Sequence, residues 1–385
     1  TLAMLCMLTP VSPGVFAKEL VIVSTTLLIL RILVTRNIYY FIKKKVLIIL
    51  LFSPSIIFAI FTSSESVIRF APVLLLVLGF PFYGFKIKAR PIMVLSIFIL
   101  AYLIVTETLL AYGNSALLNF REVWYPGGRF ASVFFYGTMD SFFSPPEGFR
   151  AGGLYYNPNV LAIVIVLYYL IFSVSFQYIE QKNINFLKKK SIIRKILYFV
   201  ILCLVSFSLF YTYSRTSMIT LIVFIGMKNF DITLLKRGVI KKDNFWPLLF
   251  VLIFLFFIGE TIWDGVVNTE GSAYSKFYIF ISYFTDASFL DLLFGGNFNI
   301  QFDNDYGNWI GASGFLGILA WINIIKMMYN TIPLTRALII AFLLTAFGGT
   351  LFYGLLSGCI VLILLCITCS FWGQRLSEKE SLKSS

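Results

Sequence analysis

Histidine is absent from this 385-residue sequence. The chain therefore cannot build a Ser-His-Asp triad, a zinc-histidine site or an imidazole acid-base pair. Charge is scarce too, because 13% of the residues are charged where a typical soluble domain has about 25%. Hydrophobic residues make up 59% of the chain and aromatic residues 18%. This composition excludes an ordinary soluble enzyme and predicts an integral membrane protein with many spans.

Cysteine is rare as well, and its positions argue against a disulfide framework. All five cysteines lie in apolar runs: Cys6, Cys203, Cys359, Cys366 and Cys369. The last two form a Cys-x-x-Cys pair inside a predicted helix, but neither a second pair nor a histidine accompanies them. We interpret them as small helix residues and predict neither a metal site nor a cofactor.

Long apolar runs recur along the chain, and a membrane helix needs about 20 apolar residues. The fold prediction is all-α: a polytopic membrane protein with about 11–12 transmembrane helices. The predicted spans lie near residues 15–34, 46–63, 67–85, 91–112, 157–178, 196–213, 216–234, 246–262, 309–328, 336–353 and 354–372. Because Thr1 lies inside another apolar run (1–14), we expect the chain to lack its natural start rather than to open on a signal peptide.

Basic residues orient the predicted spans, since cytoplasmic loops carry the excess of lysine and arginine. Loops with basic clusters alternate with loops that are poor in lysine, and the clustered loops and the tail 374–385 are predicted to be cytoplasmic. The clusters are Lys43–Lys45; Lys86, Lys88 and Arg90; Lys188–Lys190 with Arg194 and Lys195; and Lys236, Arg237, Lys241 and Lys242. The net charge of +13 thus reflects topology and not a nucleic-acid surface.

Few basic residues fall on the outer side, and most of those are arginines. They are Lys18, Lys276, Arg69, Arg121, Arg129, Arg150 and Arg215. Guanidinium presents a rigid fork of donors that suits phosphate and carboxylate, whereas lysine is a flexible point charge. The outer face is therefore a candidate site for an anionic, phosphorylated ligand, with Arg69 interpreted as a headgroup anchor.

Two predicted outer segments, 113–156 and 263–308, are too long to be turns, and long loops in compact proteins are usually functional. They divide the chain into N-terminal helices (1–112), central helices (157–262) and C-terminal helices (309–373), followed by the tail. All predicted inner loops are short, which indicates that the functional site lies on the outer side of the membrane. An internal repeat, which would favour a transporter, is not evident.

The first loop ends in Phe-Arg-Ala-Gly-Gly-Leu-Tyr-Tyr-Asn-Pro-Asn, residues 149–159. Gly152 and Gly153 permit a tight turn or a close backbone approach. Asn157 or Asn159 can cap a helix that starts at Pro158. An outward helix start beside Arg150 is a possible anion site, with lipid-headgroup anchoring as the alternative.

Arg215 lies in Tyr-Ser-Arg-Thr-Ser (213–217), between two spans with almost no loop. A charge at that depth is a functional candidate unless it snorkels to the headgroups. Arg121 and Arg129 lie in the body of the first loop, where solvated surface is an equal alternative.

The second loop ends in Phe-Asp-Asn-Asp-Tyr-Gly-Asn (302–308), just before a glycine-rich helix. Asp303 and Asp305 can cap that helix or act as a general base, with Asn304 and Tyr306 in support. Gly311, Gly314 and Gly317 more readily permit close helix packing than bind a ligand. A divalent metal at Asp303 and Asp305 is weakly supported, because a third ligand is missing nearby.

In this order, Arg-x-Gly-Gly…Asn-Pro-Asn, Ser-Arg-Thr and Asp-Asn before a glycine-rich helix resemble the O-antigen polymerase (Wzy) family and the related O-antigen ligases. The resemblance covers about residues 150–321 in motifs, and the topology extends it to nearly the whole chain. The ligases typically carry His-Asn where this chain has Asp303-Asn304, and this departure favours the polymerase.

The resemblance implies a GT-C-like glycosyltransferase of the bacterial inner membrane whose active site faces the periplasm. It would transfer a growing undecaprenyl-pyrophosphate-linked glycan, O-antigen or capsular, onto a new lipid-linked repeat unit. Arg150 and Arg215 would bind pyrophosphate, assisted by Arg121 or Arg129, and Asp303 would be the base with Asp305 in reserve. Membrane lipids and a chain-length regulator protein are the other implied partners. An O-antigen ligase-type enzyme and a lipid-linked oligosaccharide flippase remain as alternatives.

Overall fold

The computed structural model describes part of the chain, and every element in that part is helical. The described residues are 45–62, 87–112, 114–117, 119, 152–153, 158–182, 188–212, 214, 216–225, 282–295, 305–329, 338–339, 342–343, 360–361 and 363–371. Within these ranges there is no β-strand. The predicted all-α class is therefore confirmed for the described residues, while the number of spans and the domain boundaries stay predictions.

Six helices have complete bounds in the described ranges. They are α1 (Val46–Thr62), α2 (Ala89–Ala111), α3 (Pro158–Lys182), α4 (Lys188–Thr212), α5 (Phe289–Phe294) and α6 (Asp305–Tyr329). Three segments are long and apolar enough to cross a membrane, on length and composition: Ala89–Ala111, Pro158–Glu180 and Gly307–Met328. These helices support the predicted membrane character of the protein.

The described helices belong to two compact units. The first unit contains α2, α3 and α4 together with the described residues after Leu355, and the second contains α1, α5 and α6. Each unit has its own internal packing.

In the first unit, α3 is the central helix and packs against both α2 and α4. Every residue from Leu161 to Tyr178 on this helix is buried. A helix that is apolar on all sides is expected to be enclosed by other helices, because it has no polar face to turn to water. The prediction that a helix starts at Asn157-Pro158-Asn159 is confirmed, since α3 begins at Pro158.

α2 and α4 each have one buried and one exposed face, and the exposed faces are apolar. On α2 the buried positions follow the three- and four-residue spacing of a helix face, and the exposed ones include Val94, Phe98 and Val105. On α4 the exposed residues include Phe199, Leu204 and Phe210. Contiguous apolar surface on a helix bundle marks an interaction with lipid or protein, which agrees with a membrane location.

In the second unit, α1 and α5 both pack on α6. The helix α1 contains Pro54, which cannot donate a hydrogen bond to the carbonyl of Leu50. The Ser53 hydroxyl donates to that carbonyl at 2.8 Å instead. A side-chain hydroxyl thereby compensates for the proline within an apolar helix.

The helix α6 differs from the predicted continuous span 309–328, because its backbone breaks at Gly314 (φ 59°, ψ −167°). The break turns the chain so that Trp309 stacks on Trp321, with ring centroids 4.2 Å apart. Residues twelve positions apart would be about 18 Å apart along a straight helix. The segment Gly307–Met328 is long enough to span a membrane, but it is two helical pieces and not one straight rod.

Candidate functional site

The first unit contains a carboxyl group deep among apolar helices. Glu107 lies in the last turns of α2, within the sequence Val105-Thr106-Glu107-Thr108, and only 3% of it is exposed. A buried carboxylate loses its hydration and costs several kcal/mol unless hydrogen bonds replace the lost water. Ionisable residues inside an apolar span are functional candidates for this reason.

Glu107 receives one hydrogen bond, from α4. The hydroxyl of Ser208, which is also buried, donates to Oε2 of Glu107. The other carboxyl oxygen, Oε1, is buried and has no hydrogen-bond partner among the described residues. Tyr211, one turn after Ser208, lies close enough to interact electrostatically with the carboxyl. One oxygen is therefore fixed, and the other is open to an additional donor.

The Gly-Gly pair of the first motif packs directly beside Glu107. Gly152 and Gly153 are both buried, and Gly153 has a positive φ of 53°. A Cβ on Gly153 would lie 3.8 Å from the Cα of Glu107 and 3.0 Å from Cδ2 of Leu161 at the start of α3. The absence of a side chain at Gly153 is what allows the loop backbone to lie against α2 and α3.

The end of α4 leads into a buried polar turn, which comprises Thr212, Ser214 and Ser217. The backbone N–H of Ser214 donates to Oγ1 of Thr212 at 3.3 Å, and the Ser214 hydroxyl donates to that of Ser217 at 3.1 Å. The carbonyl of Ser214 accepts from Met218 at 3.1 Å and so begins the next helix. Hydroxyl groups thus satisfy a non-helical backbone, which apolar surroundings require.

The polar turn follows Ser208 closely along α4. Ser208 and Thr212 are four residues apart, which is about 6 Å along a helix axis. The Glu107 site is defined here as Glu107, Ser208 and Gly153. It contains a glycine of the first motif, and the serine that begins the second motif, Ser214, follows Ser208 by six residues.

Most of the predicted site residues lie outside the described residues. This applies to Arg121, Arg129, Arg150, Asn157, Arg215, Asp303 and Asn304, and to the side chains of Asp305 and Tyr306. Gly152, Gly153 and Asn159 belong to the first unit, with Asn159 half-buried in the first turn of α3. Asp305 is the first residue of α6 in the second unit. The roles predicted for all of these residues stay predictions.

The second unit contains a close backbone contact at the break in α6. A Cβ on Gly314 would lie 2.6 Å from the carbonyl of Leu293, and one on Gly295 would lie 2.5 Å from the carbonyl of Ala312. The Ser55 hydroxyl on α1 donates to the carbonyl of Phe294 at 3.1 Å. Gly314 therefore permits close packing, as its sequence pattern suggests, and the contact is between backbones.

A short capped helix leads to this contact. The hydroxyl of Ser288 accepts from the N–H of Asp291, and the carboxylate of Asp291 accepts from the N–H of Ser288, which is a complete capping box at the start of α5. Burial and, secondarily, the charge of Asp291 raise the pKa of Tyr283. Tyr283 is thus a neutral phenol at physiological pH, and the described residues of this region serve close packing.

The Glu107 site is the stronger candidate for chemistry. A carboxyl with one fixed and one open oxygen can accept a hydrogen bond or a proton from a hydroxyl group. Among the described residues, no group of three or more cysteine, aspartate or glutamate side chains could hold a metal ion. The Glu107 carboxyl by itself suits acid-base chemistry or hydroxyl binding.

Glu107 is not among the site residues predicted from the sequence. Its signal was present, because Val-Thr-Glu-Thr-Leu-Leu places one carboxylate inside an apolar span. It lies near the end of the predicted span 91–112, where a charge is less conspicuous than at mid-span. The chain matches no protein-family model, no curated protein and no solved structure.

Proposed function

We propose that this protein is a polysaccharide polymerase of the bacterial inner membrane. It transfers a growing undecaprenyl-pyrophosphate-linked glycan, O-antigen or capsular, onto a new lipid-linked repeat unit at the periplasmic face. It uses no metal, because the lipid pyrophosphate is already a leaving group and arginines can neutralise it. Its other partners are membrane lipids and a chain-length regulator protein.

One observation carries the proposal. Gly153 of the first motif, the Ser208 end of α4 and the buried carboxyl of Glu107 lie together in one unit. The second motif begins at Ser214, six residues after Ser208, and Ser214 is buried as well. A headgroup anchor does not need a buried acid, whereas a single reaction centre at the outer ends of α2 and α4 would bring the first motif and the end of α4 to one carboxyl.

The proposed pyrophosphate ligands are the arginines of the two motifs. Arg150 precedes the buried Gly152-Gly153 pair by two residues, and Arg215 directly follows the buried Ser214. Two forked guanidinium groups would neutralise the departing pyrophosphate, with Arg121 or Arg129 assisting. Each charge-assisted hydrogen bond is worth roughly 1.5–3 kcal/mol.

Deletion of the gene tests the proposed activity, with lipopolysaccharide or capsule analysed on a gel. A polymerase predicts a single repeat unit on the lipid core in place of a ladder. A bare core with lipid-linked polymer accumulating would indicate a ligase. Either a bare core or an unchanged ladder contradicts the proposal.

Arg150→Lys and Arg215→Lys test the pyrophosphate assignment, because lysine keeps the charge and loses the fork. We expect each variant to lower the rate of polymerisation about 10- to 100-fold, as the loss of one charge-assisted bond implies. Arg69→Lys is the matched control and should polymerise at the wild-type rate. Normal polymerisation by both site variants would show that pyrophosphate binds elsewhere.

A lipid-linked oligosaccharide transporter is the second candidate, and the position of Glu107 favours it. Transporters carry ionisable groups inside their spans, and Glu107 is a buried carboxyl within α2. Deletion of a transporter gene would leave a bare core with intermediates trapped in the inner leaflet. The same gel, combined with the sidedness of the accumulated lipid, distinguishes the two candidates.

A further inference from the structure

We propose that Glu107 is the catalytic proton acceptor of the transfer, and that Ser208 is the positioning residue that orients it. The inference rests on the proposed polymerase function. It differs from the prediction made from the sequence, which assigned the proton to Asp303. The structural basis is a carboxyl group whose Oε2 is held by Ser208 and whose Oε1 has no partner among the described residues.

The obvious alternative is that Glu107 and Ser208 merely fasten α2 to α4. Hydrogen bonds between helices do stabilise membrane proteins, but neutral side chains such as serine, asparagine and glutamine provide them. A carboxyl is a costlier choice inside an apolar bundle. A fastening contact also needs only one acceptor oxygen, and Ser208 already occupies it. The lack of a described partner for Oε1 is explained if its hydrogen-bond donor is a substrate that is present for only part of the reaction cycle.

A hydroxyl group of a sugar is a donor of the right chemistry. The burial of Glu107 keeps bulk water from Oε1, so that an arriving hydroxyl would not compete with solvent for the carboxylate. The backbone at Gly153 lies against α2 at Glu107 itself. Gly153, three residues after Arg150, thus brings the first motif to the carboxyl.

The proposed step balances in atoms and charge. The hydroxyl oxygen of the acceptor repeat unit forms a bond to the anomeric carbon of the growing glycan. The bond from that carbon to the pyrophosphate oxygen breaks, and its electron pair leaves with undecaprenyl pyrophosphate. The hydroxyl proton passes to Oε1 of Glu107, and it is later released to water.

Glu107→Gln is the decisive variant. Glutamine keeps the volume and can still accept the hydrogen bond from Ser208, but it cannot take a proton. The assay uses purified protein in lipid nanodiscs with lipid-linked repeat units extracted from the gene-deletion strain. We expect kcat to fall at least about 100-fold, as expected for loss of a general base. Glu180→Gln is the control. It changes a glutamate near the C-terminal end of α3, far along the helix from Leu161, and should have wild-type activity.

Asp303→Asn is measured in parallel, because the two assignments predict different results. If Glu107→Gln remains within fivefold of wild type while Asp303→Asn is inactive, Glu107 is not the base and the inference is wrong. If wild-type protein itself forms no polymer, the proposed function fails, and this result is separate from the outcome at Glu107.

Ser208 is tested by Ser208→Ala and Ser208→Thr. The alanine variant lacks the donor and should lower kcat about 10-fold with KM unchanged, because the base is misoriented and substrate binding is not. The threonine variant keeps a hydroxyl and should restore most of the rate. A purely structural role predicts instead that alanine lowers the melting temperature and leaves kcat unchanged, which would overturn the positioning role.

A labelling experiment on wild-type protein decides the case if Glu107→Gln does not fold. Dicyclohexylcarbodiimide is an apolar reagent that modifies carboxyl groups in membranes, and mass spectrometry locates the product. We expect modification of Glu107, loss of activity and protection by the extracted repeat-unit lipid. Either an unmodified Glu107 or an active modified protein would contradict the inference.

Discussion

At the scale of single residues, Gly153 is the position where glycine is most clearly required. Its φ is +53°, and a Cβ would lie 3.0 Å from the side chain of Leu161. The Leu161 side chain can shift, because the contacting atom is at its far end. The main cost is therefore the left-handed conformation, which is roughly 1–2 kcal/mol for residues other than glycine. We predict that Gly153→Ala lowers the free energy of unfolding by about 1–2 kcal/mol, measured by thermal unfolding in detergent.

The neighbouring glycine supplies the control for this prediction. Gly152 is also buried. Gly152→Ala adds a methyl group to the same buried segment at the neighbouring position. Equal destabilisation by both substitutions would show that crowding, and not the conformation of Gly153, is responsible.

The sequence predicted the importance of the glycine pair but not the partner of Glu107. A Gly-Gly pair before a helix indicates a close approach of the backbone to its neighbours, because glycine has no side chain. The contact from Ser208 to Glu107 joins residues that are 101 positions apart, and no local pattern in either helix indicates that they meet. Pairing across such a separation depends on how α2, α3 and α4 pack, which one sequence does not determine.

At the scale of elements, the break in α6 at Gly314 gives the clearest prediction of how a substitution changes stability. A Cβ on Gly314 would lie within 2.6 Å of the Leu293 carbonyl and the Gly295 backbone, which cannot move aside as a side chain can. Gly314→Ala combines this overpacking with strain at positive φ. We predict destabilisation of roughly 2–5 kcal/mol, the sum of the two effects, measured by thermal unfolding.

Leu319 provides a matched control on the same helix. Its side chain is 49% exposed, so Leu319→Ala in detergent should change stability by no more than about 0.5 kcal/mol. Destabilisation of the two variants to the same extent would show that α6 is sensitive throughout and not at its break.

The helix bounds were more predictable than the break. The expected span 91–112 agrees with α2 at Ala89–Ala111, and the expected start at Pro158 is the start of α3. Apolar length and capping residues are local signals, and they set where helices begin and end. The conformation of Gly314 depends on contact with α5, which lies about 20 residues earlier in the chain, and the glycine spacing alone is equally compatible with a straight helix.

At the scale of the whole molecule, the apolar faces of α2 and α4 predict contact with lipid. Cys203 is exposed on α4, on the helix that also exposes Phe199 and Phe207. In a variant with Cys203 as its only cysteine, a charged maleimide should not react in intact membranes, because the reagent does not enter hydrocarbon. Reaction should follow after denaturation in SDS, as measured by mass spectrometry.

An added cysteine after α2 gives the positive control and tests the proposed sidedness. Ser115 is exposed beyond the end of α2, and Ser115→Cys in a cysteine-free background should react with the charged maleimide from the periplasmic side of spheroplasts. Reaction only after the cells are opened would reverse the proposed topology. Immediate reaction of Cys203 would instead show that its surface faces water.

The complete burial of α3 has a consequence for the order in which the protein is made. This helix has almost no surface for lipid in the folded unit, yet it is as apolar as α2, which has such a surface. During synthesis α3 leaves the ribosome before α4, and it must rest in the bilayer until its second neighbour arrives. The apolar composition of α3 suits this stage in lipid, and the hydrogen bond between the hydroxyls of Ser173 and Tyr198 (3.2 Å) forms once α4 has packed against it. The sequence of α3 is therefore suited both to insertion into the bilayer and to later enclosure by other helices.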